Sequence, residues 1–357
     1  SRVGGDEFVI LIDEAGESEA DAADAGARIA TKILAGMAEP FDLNGYRYKT
    51  NASIGLAHFG EAADTIIEVF KRADLAMYQA KQSGKGAYRF FDPESQRLLD
   101  YQSSIESELA IAITEQQIVP LYQPIANRDG RIVGAETLCR WEHPERGLIN
   151  PVDFIPFAEK SNLIVQIDEL MLHHVCRQLS AWQEDPRCRH LVVSVNLSAR
   201  FFGFSDFIPR LLVVCRQYGT PMNQLKIELT ESMLLKNIGE AARKVKELAQ
   251  YGIRLSLDDF GTGYSSLTYL QHLKINELKI DQSFVAHIFD DVSSAAICKS
   301  ILALAQSLDL SVIAEGVETT AQRDFLVSHG CELLQGYLIG RPCAASELIP
   351  ENVASKH

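Results

Sequence analysis

The sequence has no basic excess. Its formal net charge is −14 at pH 7, so it lacks the basic patches that neutralise a long phosphate backbone. Coating of long nucleic acid is therefore not expected. A small phosphorylated ligand remains compatible, because metal ions held by acidic clusters reverse the local sign. Long apolar runs are missing as well, and nothing approaches the ~20 residues of a membrane span. No signal peptide opens the sequence. A cytoplasmic location is expected, with any membrane tether belonging to a longer parent protein. The seven cysteines (Cys139, Cys176, Cys188, Cys215, Cys298, Cys331 and Cys343) are odd in number, scattered and without a C-x-x-C pair. That pattern argues against a disulfide framework or a zinc site and for a reducing compartment. Internal repeats and low-complexity tracts are absent too.

What is present suits two globular domains: 357 residues, 46% hydrophobic and 23% charged. The first is expected over residues 1–92. It holds a short strand at Phe8–Ile12, an Ala-rich acidic helix at Ala20–Met37, paired strands at Tyr46–Tyr48 and Ser53–Ala57, and a helix at Ile66–Lys81 ending near Gly84. Asp92-Pro93 breaks this pattern, and a polar helical connector follows over 93–115. From 116 to 350 the pattern alternates between strands and helices.

Eight strands are expected in this second domain: Ile118–Ile125, Ile132–Arg140, Leu191–Leu197, Leu225–Leu229, Ile253–Asp258, Glu277–Asp281, Ser311–Glu315 and Leu333–Leu338. Between them, Leu163–Trp182 places Leu163, Ile167, Leu170, Met171, Val175, Leu179 and Trp182 on one helical face. Ala241–Tyr251 and Ala295–Leu308 behave alike, and Gly219, Gly252 and Gly330 stand where helices would end. Eight strands with intervening helices predict a modified (β/α)8, TIM-type barrel. Only Asn127-Arg128-Asp129-Gly130 separates the first two strands, too short for a crossover helix, so one strand is expected to be antiparallel.

Alternation along the strands then separates two faces. Leu225, Ile227 and Leu229 oppose Lys226 and Glu228; Ile253, Leu255 and Leu257 oppose Arg254, Ser256 and Asp258; Leu278 and Ile280 oppose Lys279 and Asp281. Val193, Val195 and Leu197 oppose Ser194 and Asn196. The apolar set can pack on outer helices while the polar set points inward. Its last members are Glu136, Asn196, Glu228, Asp258, Lys279 and Glu315, each near a carboxyl-terminal strand end, where barrel active sites are assembled. One such acid alone is as readily a helix cap, but six strands repeating the pattern are not. Oxygen donors without a His or Cys cluster favour Mg²⁺ or Mn²⁺ over zinc. The adjacent pair Asp258 and Asp259 could serve two ions, as suits displacement at phosphorus. Lys279 could orient or deprotonate a water. Metal-assisted proton abstraction beside a carboxylate, with the lysine as base, stays open at this point.

Longer strings narrow the choice. Glu136-Thr137-Leu138-Cys139-Arg140-Trp141 resembles the E-A-L-x-R-W signature of EAL domains, with Thr for Ala. Phe154-Ile155-Pro156-Phe157-Ala158-Glu159, Asn196-Leu197-Ser198 and Glu228-Leu229-Thr230-Glu231-Ser232 follow in family order. So do Asp258-Asp259-Phe260-Gly261-Thr262-Gly263-Tyr264-Ser265-Ser266, Lys279-Ile280-Asp281, Glu315-Gly316-Val317-Glu318-Thr319 and Gln335-Gly336-Tyr337. The resemblance implies hydrolysis of cyclic-di-GMP to linear pGpG with Mg²⁺ or Mn²⁺. By the same resemblance, Glu136, Asn196, Glu228 and Asp258 would hold one ion, and Asp258 would bridge to a second that Asp259 also ligates. Lys279 would position or activate water, with Glu315 as metal partner or proton acceptor. Asp281 and Glu318 would support these groups. Gln123, Gln335 and the phosphate-contacting Arg140 match substrate positions. Glu231 matches the anchor of the loop after Asp259, which Gly261 and Gly263 allow to turn, and which in the family links the metals to dimer contacts. A homodimer through this domain is implied. A catalytically silent module that binds the dinucleotide is the alternative, favoured only by loss of a ligand or the lysine, and none is lost. His173, His174 and Cys139 read as packing residues.

The first domain resembles the second half of a GGDEF domain, an α+β fold: Gly4-Gly5-Asp6-Glu7-Phe8, Ser53-Ile54-Gly55, and Ala73-Asp74-Leu75-Ala76-Met77-Tyr78-Gln79-Ala80-Lys81. The Gly-Gly turn would admit a guanine nucleotide, with Glu7 near a metal. The family's earlier metal-binding strand, guanine-contacting segment and R-x-x-D site are not in this sequence. Cyclase activity is not expected of the chain as it stands, and a bifunctional parent stays open.

Overall fold

The structure, a computed structural model, describes residues 1–13, 15, 19–43, 45–59, 65–84, 86–92, 104–105, 107–235, 237–261 and 273–348. The chain forms two compact units, Ser1–Ser104 and Ile105–His357. Most of the expected connector before residue 104, and the motif residues Thr262 to Ser266, lie outside the described residues.

In the first unit, β1 (Arg2–Gly4) and β2 (Glu7–Phe8) form a hairpin around Gly5 and Asp6, and Glu7 is exposed. Two helices, Glu19–Ala38 and Ile66–Gln82, match the apolar periodicity. The second starts at a capping box, in which the Thr65 side chain accepts from the Glu68 N–H and Glu68 returns a bond to the Thr65 backbone. The strands pair differently from expectation. β3 (Phe41–Leu43) pairs with β4 (Tyr46–Tyr48), and β5 (Ile54–Leu56) pairs in parallel with β6 (Tyr88–Phe90). Each spans three residues, too few for alternation to specify a partner.

The second unit is a closed barrel. Its strands are β7 (Ile118–Asn127), β8 (Ile132–His143), β10 (Val192–Asn196), β11 (Leu225–Thr230), β12 (Arg254–Phe260), β13 (Glu277–Ile280), β14 (Ser311–Ala314) and β15 (Leu333–Gln335). They run in the order β10-β11-β12-β13-β14-β15-β7-β8, and a β8–β10 pairing closes the ring. β7 is antiparallel to both neighbours and the others are parallel. The short β9 (Gly147–Ile149) adds to the outside of β8.

The apolar strand faces pack outward. Val193, Val195, Leu225, Ile227, Leu229, Leu255, Leu257, Leu278 and Ile280 are all buried, together with the stripe Ile164, Ile167, Met171, Val175, Leu179 of helix Ile164–Trp182. At roughly 1.5–3 kcal/mol for each fully buried side chain, this shell is the main favourable term of the barrel. Trp141, the last residue of the E-T-L-C-R-W string, belongs to it: fully buried, edge-on to Phe154, its indole N–H donating to Gln117 Oε1 at 3.1 Å. Ile105, Leu109 and Ala112 are buried in the same core. Gly219, Gly252 and Gly330 follow helices with positive φ, as the pattern predicts.

Candidate active site

Inward-facing polar residues stack in two layers. The lower holds Lys226, whose Nζ meets Glu277 Oε1 at 2.6 Å, both nearly inaccessible to water. The upper centres on Lys279, fully buried on β13. Its Nζ lies 2.6 Å from Glu315 Oε1, 2.7 Å from Glu228 Oε2, 3.1 Å from Glu136 Oε2 and 3.2 Å from Asp258 Oδ1. Four carboxylates from four strand ends therefore converge on one ammonium. Asn196 Nδ2 donates to Glu136 Oε1 at 2.6 Å, and Gln335 Nε2 donates to Glu136 Oε2 at 2.7 Å and to Gln123 Oε1 at 3.1 Å. Asn196 itself is exposed, so the cluster opens to solvent on that side.

Burial is the largest influence on Lys279, Glu136, Glu228 and Glu315. It would drive the Lys279 proton off, but Glu136, Glu228, Glu315 and Asp258 outweigh it and hold the pKa well above the lysine range. For Glu136, burial is outweighed by Lys279, Gln335 and Asn196, so its pKa is lowered. Glu228 goes the other way: burial and the charges of Glu136 and Asp258 raise it well above the carboxylate range. Glu315 is pushed up to about 8 by burial, with Asp258 and Glu136 adding to it against Lys279. One ammonium does not balance four carboxylates.

Asp259 stands next to the cluster with φ of 54°, where the β12–β13 register is irregular between Leu257 and Phe260. Such irregularity re-aims side chains at a strand end. Burial raises the Asp259 pKa, and Asp258 and Asp281 add to it. Asp281 caps the next helix by accepting from the Ser283 N–H at 2.9 Å and from the Ser283 hydroxyl. Gly261 takes φ of 98°, the sharp turn expected after Asp258-Asp259, while Gly263 lies outside the described residues. Glu231 is buried in the first turn of the helix after β11. Arg140 shares the inward face of β8 with Glu136, four residues further towards the mouth, and donates to the Cys139 carbonyl at 2.8 Å. Glu318 is an expected site residue that stands apart from the cluster. Its side chain is exposed and its backbone N–H donates to Gln322 Oε1. Cys139 is pushed up to about 12 by burial, so it carries no thiolate at neutral pH.

Two contributions escape motif reading. The Lys226–Glu277 pair shares the inward parity of Glu228 and Lys279, a signal available in the sequence. Asp168 is buried in helix Ile164–Trp182 and accepts from the Ser198 N–H at 3.2 Å and hydroxyl at 2.5 Å. This bond pins the segment just after Asn196. A charged residue four places from both Ile164 and Leu172, on an apolar stripe, is the clue.

The residues fit a divalent ion on three counts. All donors are oxygens; negative charge exceeds positive; and Glu228 Oε1 is buried with no hydrogen-bond partner. As they stand, no group of three described His, Cys, Asp or Glu side chains is spaced to hold an ion, because the Lys279 ammonium sits at the focus of the carboxylates.

A closed, mixed (β/α)8 barrel with an acid cluster at the carboxyl ends of its strands defines the architectural class. The "EAL domain" family description matches residues 106–342, and "Diguanylate cyclase, GGDEF domain" matches residues 1–87. The chain belongs to the EAL domain family, with part of a GGDEF domain before the barrel. Among curated relatives, the bifunctional diguanylate cyclase/cyclic di-GMP phosphodiesterase MucR of Pseudomonas aeruginosa is 38% identical over 98% of this chain and 50% of its own. The cyclic di-GMP phosphodiesterase PdeR of Escherichia coli is 36% identical over 97% of this chain and 51% of its own. The chain thus spans about half the length of these relatives. A solved structure described as PaMucR phosphodiesterase in complex with c-di-GMP superposes with a TM-score of 0.67 at 40% identity, covering 69% of this chain and all of that one. The EAL enzyme Bd1971, bound to cAMP and cyclic-di-GMP, gives 0.67 at 31% identity over 80% of this chain and 75% of its own.

Proposed function

We propose that this chain is a cyclic-di-GMP phosphodiesterase that opens one phosphodiester of the ring to give linear pGpG. The observation that carries this reading is the convergence of Glu136, Glu228, Asp258 and Glu315 on buried Lys279 at the mouth of the barrel. Relatives named for this reaction support it. A buried lysine among carboxylates suits water-directed attack on an anionic ester better than it suits a silent binding surface, which has no need of so costly a cluster.

Glu136, Asn196, Glu228 and Asp258 would hold one Mg²⁺ or Mn²⁺ ion, and Asp258 and Asp259 a second, with Glu315 beside them. When bound, such ions supply positive charge to the phosphate and acidify water. The protein's own groups do the rest. Glu228 Oε1, buried without a partner, is available as a donor oxygen. Lys279 withdraws from the focus of the carboxylates and its ammonium orients the attacking water. Gln335 and Asn196 fix the Glu136 carboxylate, Gln123 holds Gln335, and Arg140, higher on the same face, would contact the ester phosphate. Asp281 keeps the turn after Lys279 in place, and Glu231 anchors the loop after Asp259. Glu318, exposed here, would act only after moving inward. A homodimer through the barrel accompanies this activity; light scattering that gives monomer alone at working concentration would overturn that part. No helix among the described residues is long and apolar enough to cross a membrane.

The decisive experiment incubates purified protein with cyclic-di-GMP and Mg²⁺ or Mn²⁺ and separates the products by chromatography. pGpG is expected. Its absence across metal concentration and pH rules the reading out.

A further inference from the structure

Asn196 is the uncharged member of the proposed ligand set, and its strand ends with it. It pairs with Glu228 on β11, whereas the pairing of β10 with β8 stops at Val195 and Thr137. The next backbone bond, from the Leu197 N–H to the Glu228 carbonyl, is 3.4 Å long, against a usual length of about 2.9 Å. A carboxamide draws a cation by its dipole alone. Its worth as a ligand therefore depends on being in place before the ion arrives.

The short helix that follows, Ala199–Gly203, supplies what the strand does not. Buried charged side chains from two other helices grip it at both ends. At its start, Asp168 of helix Ile164–Trp182 accepts from the Ser198 N–H at 3.2 Å and hydroxyl at 2.5 Å, and Ser198 Oγ accepts from the Phe201 N–H at 3.2 Å. At its end, Lys244 of helix Ile238–Gln250 donates to the Phe202 carbonyl at 2.7 Å and the Phe204 carbonyl at 3.0 Å, with Glu240 Oε1 2.8 Å from the same Nζ. The carboxylate thus meets donors at the helix start and the ammonium meets acceptors at its end, the backbone groups that a helix leaves open. Asp168 is 5% exposed and Lys244 2%. Burying a charge is costly, and apolar side chains would suffice to pack these helices together. Directional bonds at both ends do more: they fix a position along which apolar contacts alone could slide.

We propose that Asp168 and Lys244 are positioning residues for the ion-binding site. Together they fix residues 198–204 and so hold Asn196 where it can ligate, a role that rests on the reading of Asn196 as a metal ligand.

The test measures Mn²⁺ binding to the full chain without substrate, from the electron paramagnetic resonance signal of the free ion. Circular dichroism first confirms that each variant is folded. Asp168→Ala and Lys244→Met should each bind Mn²⁺ about tenfold more weakly, the usual cost of losing a group that orients a ligand. Asp168→Asn, which keeps an acceptor oxygen of the same reach, should stay within about threefold of wild type. Leu179→Ala empties a core position about three turns further along the helix of Asp168; it should leave Mn²⁺ affinity within about twofold. Added to Asn196→Ala, Asp168→Ala should weaken binding by less than about a further twofold, because the ligand it positions is gone. Wild-type affinity in both Asp168→Ala and Lys244→Met overturns the proposal. So does an equal loss in Leu179→Ala or Asp168→Asn, or a tenfold loss that persists beside Asn196→Ala. An Asn196→Ala variant that binds Mn²⁺ as wild type does defeats the ligand reading itself, and the positioning role with it.

Discussion

At the residue scale, Lys279 neutralises the carboxylates that surround it, and in the proposed reaction it would direct water. Removing one partner of a buried ion pair typically costs about 3–5 kcal/mol, because the charge left behind is uncompensated. Lys279→Ala should therefore lower metal-free stability by a few kcal/mol, and urea melts would read it. Mg²⁺ should restore most of that loss while turnover stays at least about a thousandfold down; near-normal turnover would contradict the assigned role. Glu228 and Glu315 set a pH dependence. Their folded pKa values are raised, to about 8 for Glu315. The stability they confer is complete below the ordinary glutamate range and is lost as pH rises towards 8. Glu136 is lowered, so its contribution is lost only at pH below the ordinary range and does not offset the loss above it. Metal-free protein should thus be more stable to urea at pH 5 than at pH 8, and Mg²⁺ should flatten the slope. A flat metal-free profile would remove the charge-excess argument. The six inward residues were readable from strand parity, and the ordered strings supply the roles proposed for them. That Lys279 sits at the centre of the acids was not readable, because side-chain reach across a barrel depends on the stagger of all its strands.

Among elements, the connection after β15 is the most exacting. A Cβ on Gly336 would lie 2.2 Å from the Val317 nitrogen, because the Val317 N–H bonds the Gln335 carbonyl and the Leu338 N–H bonds the Val317 carbonyl. Gly336→Ala should displace Gln335 and release Glu136. A fall in kcat of about a hundredfold with the circular dichroism spectrum retained is expected, whereas unchanged kinetics would show that Gln335 does not position Glu136. Helices were legible wherever an apolar stripe ran three turns or more, as at Ile164–Trp182. β9, β3 and β6 were not, since three residues carry no usable period. The pairing of Tyr46–Tyr48 with Phe41–Leu43, rather than with Ile54–Leu56, is likewise decided by turn geometry and by what each strand packs against.

For the whole molecule, the division at Ser104 and Ile105 makes a direct prediction. A fragment from residue 104 onward should fold and keep turnover within a few-fold of the full chain, checked by thermal melting and product chromatography. Failure to fold would show that the first unit completes the barrel. The sequence by itself determined the eight strands, the antiparallel first strand, the inward polar face and the family. These depend on local period, turn length and residue identity, all of which survive in one dimension. Only tertiary structure decided that four carboxylates share one ammonium, that a second ion pair lies beneath them, and that Asp168 holds the strand end bearing Asn196. Those facts follow from ring closure, which brings residues such as Gln335 and Gln123, 212 positions apart, into contact.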